Sequence, residues 1–125
     1  MKGQKFSFRN RLKSFGFAFN GLMVLIREEH NARIHLIAVI CVIIAGFTFK
    51  ISTPEWIAVV FAFGFVIATE IVNSAIEGIS DFISPDKHEM IKKIKDLSAA
   101  AVLIAAITAF IIGLIIFLPK IVELC

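Results

Sequence analysis

Four polar side chains recur at short intervals in an otherwise apolar stretch, ATEIVNSAIEGISDF at residues 68–82. They are Glu70, Asn73, Glu77 and Asp81, each three or four residues from the next. Residues at these intervals lie on one face of a helix, so the spacing predicts a polar stripe. Carboxylates on such a stripe can accept a proton from an alcohol or bind a divalent cation.

Further acids and cations flank this stripe, beside the apolar segments. They are Glu28, Glu29, Asp86, His88, Glu89, Lys95 and Asp96. Two carboxylates from different helices and a lysine are what a magnesium nucleotide requires, because oxygen ligands bind the metal and a cation neutralises the phosphates. The sequence has neither a G-x-x-x-x-G-K-[ST] loop nor a D-F-G motif, so any phosphoryl transfer uses neither of those common architectures.

The three histidines, His30, His35 and His88, are predicted to lie at the protein surface or the membrane interface. Of these, only His88 is expected to contact a ligand, because it lies between acids and lysines. Neither cysteine has histidine or cysteine neighbours at metal-ligand spacing.

The composition indicates a membrane protein. Of the 125 residues, 58% are hydrophobic, and the mean hydropathy is +0.89. Soluble domains have roughly 45–50% apolar residues. The length allows one domain over residues 1–125. The net charge of +3 comes without an arginine-rich aromatic stripe, so nucleic acid is not expected as a partner.

The hydrophobic pattern predicts an all-α membrane protein with one interfacial helix and three spans. Apolar residues at helical spacing between Phe8 and Ile26, with basic residues off that stripe, predict an amphipathic helix in the membrane interface over about 8–27. The alternative is a soluble-domain helix packed on a core. Apolar segments predict spans over about 31–50, 55–80 and 97–118, with a loop over about 83–96. Pro54 predicts the start of the second span, with Ser52 or Thr53 as its cap.

The basic residues predict the orientation in the membrane. Eleven of the thirteen lysines and arginines precede the first span or lie in the 83–96 loop, and only Lys50 and Lys120 belong to the other side. The positive-inside rule then places the N-terminus and this loop in the cytosol.

This orientation gives the polar stripe a depth. At about 1.5 Å per residue, Glu77 lies roughly 6 Å and Glu70 roughly 16 Å from Asp81 along the helix. A carboxylate so deep in a span is a candidate for function. Three functions compete: a lipid-alcohol kinase, a small proton or cation carrier, and a scaffold whose acids only join helices. The carrier is disfavoured, because residues 56–68 contain no ionisable group and a relay would stop halfway.

Three segments resemble a known family: EHNARIHL (29–36), EIVNSAIEGISDFISPDKHE (70–89) and KDLSAAAVL (95–103). They are similar to the small bacterial membrane lipid kinases, the prokaryotic diacylglycerol kinase and undecaprenol kinase family, over about residues 8–118. The resemblance implies a homotrimeric helical bundle in the bacterial cytoplasmic membrane. It also implies MgATP-dependent phosphorylation of a lipid alcohol at the cytosolic surface.

The resemblance also assigns roles to residues. Glu70 corresponds to the general base, and Glu29 and Glu77 to the carboxylates that hold magnesium. The positions implied to contact ATP are Asn10, Phe17, Glu29, Glu77, Asp86, Lys87, His88, Lys95 and Asp96. Asn73 and Asp81 match supporting positions. Ala99, with Glu70, falls where the lipid substrate binds.

Two positions depart from the family pattern, and the acceptor lipid stays open. Phe17 stands where the family can have tyrosine, and Asn10 where it has a basic residue, which Arg9 or Arg11 could supply. The segment HNARIHL looks more like the undecaprenol kinase branch. Diacylglycerol and undecaprenol both remain possible, because contacts that discriminate between apolar chains contribute little individually.

Overall fold

The computed structural model describes residues 7–86 and 88–125, and these form four α-helices. The helices are α1 (Phe8–Glu28), α2 (His30–Phe49), α3 (Thr53–Ile83) and α4 (Glu89–Leu124). The last three are long and apolar enough to cross a membrane. The prediction of an all-α membrane protein with an N-terminal helix and three spans is confirmed at this level.

The junction between α1 and α2 is a single extended residue. Glu29 has φ −109° and ψ 113°, which interrupts the helical path. Arg33 stabilises this junction, because its guanidinium donates to the carbonyls of Ile26 at 2.7 Å and Arg27 at 2.5 Å. These carbonyls belong to the last turn of α1, where no helical N–H follows to pair with them. The junction therefore holds Glu29 in a defined place beside α3.

The turn between α2 and α3 follows the sequence signals closely. Lys50 ends α2 in the left-handed conformation, with φ 52°. Ser52 caps α3 and forms a capping box with Glu55, and Pro54 occupies the first turn. Of the two caps that the sequence allowed, the structure therefore selects Ser52.

The last helix is longer than its predicted span. α4 begins at Glu89, within the segment predicted as loop, and continues past Pro119 to Leu124. His88 caps its start, since Nδ1 accepts from the backbone N–H of Met90 at 3.1 Å. Lysine and glutamate are good helix formers, so residues 89–96 extend the helix beyond the apolar segment. This extension carries Lys95 and Asp96 on a rigid element.

The helices pack unequally. α3 and α4 contact each other along much of their length, whereas α1 and α2 make fewer contacts with α3. The buried apolar cluster of Ile51, Val59 and Ile116 lies where α3 begins and α4 approaches its end. Many large apolar side chains on the three spans stay exposed. Such faces require lipid or another protein surface, so most of the chain's apolar area contacts its surroundings.

Candidate active site

The polar stripe predicted for α3 is present, and its burial changes along the helix. Glu70 is 1% exposed and Asn73 is buried, whereas Glu77 is partly buried and Asp81 is exposed. The stripe therefore runs from the interior of the helical assembly to solvent near the end of α3. A ligand that enters from this end would meet Asp81 first and Glu70 last.

At the buried end, Glu70 contacts a histidine of α2. His35 Nε2 lies 3.1 Å from Glu70 Oε1, and the imidazole is mostly buried, with 23% of its side chain exposed. The ring N–H is not well aligned with the oxygen, and Oε1 has no other polar partner in the described part of the chain. The sequence predicted His35 at the surface or the membrane interface, and the structure places most of its imidazole against Glu70 of α3. One signal existed, since His35 is the sole histidine, acidic or basic residue among positions 34–49.

The middle of the stripe is a short hydrogen-bonded chain. Ser98 Oγ, on α4, donates to Asn73 Oδ1 at 2.8 Å, and Asn73 Nδ2 donates to Glu77 Oε1 at 3.3 Å. Because the amide oxygen is occupied by Ser98, the amide NH₂ is turned toward Glu77. Asn73 is thus a supporting residue for that carboxylate in this structure. No pattern in the sequence singled out Ser98 as a partner of Asn73.

A third carboxylate approaches from the α1–α2 junction. Glu29 is partly buried, and its side chain forms no capping hydrogen bond at the start of α2. The negative charges of Glu29 and Glu77 both act on Glu70. Glu29 and Glu77 are therefore close enough to Glu70 for their charges to act on it.

The lysine and aspartate that precede the third predicted span point to different partners. Lys95 Nζ lies 2.7 Å from Asp81 Oδ1, across the α3–α4 interface. Asp96 pairs with Lys92 at 2.6 Å on the same helix. The hydrogen bond to Asp81 raises the pKa of Lys95 above its ordinary value of 10.5, and the charge of Glu77 acts in the same direction. Lys95 is therefore cationic at neutral pH and lies next to the open end of the stripe.

A cavity of about 610 Å³ near the end of α3 is lined by four of the nine residues predicted to contact ATP. Its lining includes Asp86, His88, Lys95 and Asp96, together with Asp81. Lys87 lies outside the described residues. Its lining combines four carboxylates with the amines of Lys92 and Lys95, so a phosphate-bearing ligand would pair with the lysines and need a divalent cation against the acids.

Besides Glu29 and the buried part of the stripe (Glu70, Asn73 and Glu77), three described residues of the predicted site do not line this cavity. Asn10 and Phe17 occupy exposed positions on α1, and Ala99 an exposed position on α4, and none of them lines it. Among the described residues, the side chain of Asn10 forms no hydrogen bond with the carboxylates of the stripe. Their roles in binding nucleotide or lipid stay predictions.

The carboxylates fit a magnesium ion that arrives with its nucleotide. Within residues 7–86 and 88–125, no three histidine, cysteine or acidic side chains converge as a complete metal site. Magnesium is commonly held by one or two carboxylates, with phosphate oxygens and water completing its shell. Glu29 and Glu77 supply that number of ligands. The arrangement therefore suits a magnesium ion that binds together with the nucleotide better than one held by the protein alone.

A smaller, apolar cavity of about 100 Å³ lies beyond the buried end of the stripe. Among the described residues, His35 is its single polar lining residue, and the other ten are apolar, from α2, α3 and α4. Val66, one helical turn before Glu70, is among them. The carboxylate of Glu70 is therefore bordered by apolar space on one side and by the polar stripe on the other.

The sequence matches known proteins along most of its length. The family model described as prokaryotic diacylglycerol kinase matches residues 16–117. The chain is 39% identical over 108 residues to the protein named undecaprenol kinase of Bacillus subtilis. This alignment covers 86% of this chain and 88% of that protein. It is 32% identical over 116 residues to the diacylglycerol kinase of Synechocystis, and that alignment covers 92% of this chain and 66% of the relative. It is 31% identical over 104 residues to the diacylglycerol kinase of Escherichia coli K12, and that alignment covers 83% of this chain and 85% of the relative.

Proposed function

This chain belongs to the prokaryotic diacylglycerol kinase family, and we propose that the lipid alcohol it phosphorylates is undecaprenol. It is a membrane lipid kinase that uses ATP. The higher identity to the undecaprenol kinase of Bacillus subtilis, 39% against 31–32% for two diacylglycerol kinases, favours the polyprenol. Diacylglycerol is the second candidate, because the name diacylglycerol kinase recurs among the relatives.

The observation that carries the lipid kinase mechanism, for either alcohol, is the burial of Glu70 at one end of a stripe whose other end opens to a polar cavity. A long-chain alcohol reaches the protein through lipid, whereas ATP comes from water. The stripe joins these two environments within three turns of α3. Such a split site brings together two substrates that do not share a solvent.

In this proposal Glu70 is the general base. Its carboxylate takes the proton of the lipid hydroxyl while that oxygen attacks the γ-phosphorus of ATP. The bond between the γ-phosphorus and the β–γ bridging oxygen breaks, and ADP leaves. The products are the lipid phosphate and a protonated Glu70, which then releases its proton to water.

The other stripe residues bind and orient the nucleotide. Glu29 and Glu77 would hold magnesium. Asn73, which accepts a hydrogen bond from Ser98, donates one to Glu77 and so keeps that carboxylate oriented. When bound, the metal neutralises the phosphate oxygens. Lys95 exchanges Asp81 for phosphate, which costs little because that pair is solvent-exposed.

The assembly and orientation are parts of the same proposal. An exposed groove between α3 and α4, lined mainly by apolar residues such as Phe65, Val72 and Leu97, supports contact with a second copy and thus a homotrimer. The excess of lysine and arginine near α1 and the α3–α4 connection supports a cytosolic N-terminus in the bacterial cytoplasmic membrane. The polar cavity would then face cytosolic ATP. One domain, residues 1–125, would carry the whole activity.

The test is a two-substrate assay with the purified protein in detergent. ATP and magnesium are supplied with undecaprenol in one reaction and with diacylglycerol in the other, and the phosphorylated lipid is quantified. Undecaprenol should have the higher kcat/KM, and EDTA should abolish turnover of either lipid. A preference for diacylglycerol would overturn the proposed substrate, and no turnover of either would overturn the proposed kinase mechanism.

A further inference from the structure

The proposed mechanism does not use His35, although this residue contacts the buried carboxylate of Glu70. Glu70 Oε1 is a buried carboxylate oxygen, and its nearest donor in the described part of the chain is His35 Nε2 at 3.1 Å. A buried acceptor without a donor is costly, so native structures rarely leave one unpaired. Within residues 7–86 and 88–125, His35 is also the one polar residue that lines the adjacent apolar cavity. If the imidazole were removed, that lining would offer no other donor.

The chemistry of the two groups defines what this contact does. An ionised carboxylate only accepts hydrogen bonds, so the hydrogen of the pair must reside on His35 Nε2. With Oε1 directed to the imidazole, Oε2 is the oxygen left for an incoming hydroxyl. The two oxygens of Glu70 therefore have different tasks, and the histidine decides which oxygen faces the substrate.

We propose that His35 is a positioning residue for the lipid kinase reaction, holding Glu70 so that Oε2 accepts the proton of the lipid hydroxyl. The inference rests on the proposed role of Glu70 as general base. His35 belongs to α2 and Glu70 to α3, and these helices contact each other sparingly. The side-chain contact thus restrains the carboxylate where backbone packing restrains it little.

A positioning role differs measurably from a structural one. A group that only joins α2 to α3 would, when lost, lower stability and weaken binding of both substrates. A group that aims the base lowers kcat for the lipid and leaves the KM for MgATP unchanged, because Glu77, Lys95 and Asp96 are not disturbed. A small misplacement of a reacting group lowers the rate by about 100-fold.

The experiment compares His35→Leu, His35→Gln and Glu70→Gln with the wild-type protein in the same lipid kinase assay. His35→Leu should lower kcat by about 10- to 100-fold with an unchanged KM for MgATP. His35→Gln should recover most of this loss, because its amide NH₂ can donate to Oε1. The matched control is His30→Gln, on the same helix, at an exposed position whose side chain has no hydrogen bond among the described residues.

The outcomes separate this inference from the proposed function. If the wild-type protein is active, Glu70→Gln is inactive and His35→Leu retains full kcat, His35 has no positioning role and the general base stands. If His35→Leu and His35→Gln lose activity and thermal stability equally, the contact is structural and the inference fails. If Glu70→Gln retains wild-type kcat, the proposed general base itself is wrong.

Discussion

The start and the middle of α3 surround their carboxylates in different ways. At the start of the helix, Glu55 Oε1 accepts from the backbone N–H and the hydroxyl of Ser52, and Oε2 accepts from Lys120 Nζ at 2.7 Å. Fifteen residues later, at the buried end of the stripe, Glu70 Oε1 has only a poorly aligned contact with His35 among the described residues. One acid is satisfied by its own chain, and the other is not.

This difference separates structural from functional polarity in a membrane protein. Buried polar groups are normally paired, so a fully paired acid such as Glu55 needs nothing further to explain it. A buried acid that lacks donors has capacity left for a ligand, and it lowers stability until that ligand binds. The start of α3 is therefore a structural corner, and the stripe from Glu70 to Asp81 is the reactive region.

The strongest test of this comparison replaces one carboxylate oxygen with an amide NH₂, once at Glu70 and once at Glu55. Glu70→Gln should lower kcat by about 100- to 10,000-fold, because an amide cannot accept the proton of the alcohol. Glu55→Gln should leave kcat within about twofold, since it lies outside the reactive region, and should lower the melting temperature by a few degrees. Kinetics with MgATP and undecaprenol, together with thermal unfolding in detergent, measure both. Equal losses of kcat would remove the distinction between the two carboxylates.

A smaller effect is expected for the cation beside the stripe. Lys95→Met should raise the KM for MgATP by about tenfold or more, because it removes the charge proposed to face the phosphates. Lys93→Met is the matched control, an exposed lysine two residues earlier that does not line the polar cavity. Initial rates across ATP concentrations provide the comparison. If both variants behaved alike, Lys95 would be an ordinary surface lysine.

Where the end of α2 packs against the start of α3, the stability of the protein should depend on side-chain volume rather than on charge. A Cβ atom on Gly46 would lie 2.6 Å from a ring carbon of Trp56, so Gly46→Ala should destabilise the protein by about 1–3 kcal/mol. At Gly64 the space is open, and Gly64→Ala should be neutral or stabilising by up to about 1 kcal/mol. Unfolding of the two variants, followed by circular dichroism, measures the difference. A Gly46→Ala protein as stable as wild type would contradict the close packing of this corner.

The smallest expected effect is on pH dependence at the open end of the stripe. The hydrogen bond to Asp81 raises the pKa of Lys95, so the stabilising contact is fully present below the ordinary value of 10.5 and is lost as pH rises through the raised value. Asp81→Asn removes that cause and lowers the pKa of Lys95. The KM for MgATP should then begin to rise at a lower pH than in the wild-type protein. Profiles from pH 7 to 10.5 that superimpose would show that Asp81 does not control this lysine.

Local signals were sufficient for the elements of the fold. The helical spacing of Glu70, Asn73, Glu77 and Asp81 predicted one stripe, and α3 carries it. Pro54 with its neighbours predicted a helix start, which the capping box of Ser52 provides. Both predictions depend on interactions within a few residues, which the sequence specifies directly. The boundary of α4 was harder, because the polar helix formers of residues 89–96 continue a helix without an apolar signal.

The contacts between helices were not predictable in the same way. The pairs His35 with Glu70, Ser98 with Asn73, and Lys95 with Asp81 each join different helices. Such pairs depend on how each helix is rotated about its axis and shifted along it. Periodicity defines the polar face of one helix but leaves those two quantities free.

From the sequence alone came the number of helices, the cap of α3 and the residue types available for chemistry, because these follow from spacing and composition along one segment. The tertiary structure alone decided which oxygen of Glu70 meets an imidazole, and that Lys95 faces α3 while Asp96 pairs along its own helix. The physical reason is that hydrogen bonds act over about 3 Å, whereas sequence spacing says nothing about distances between segments.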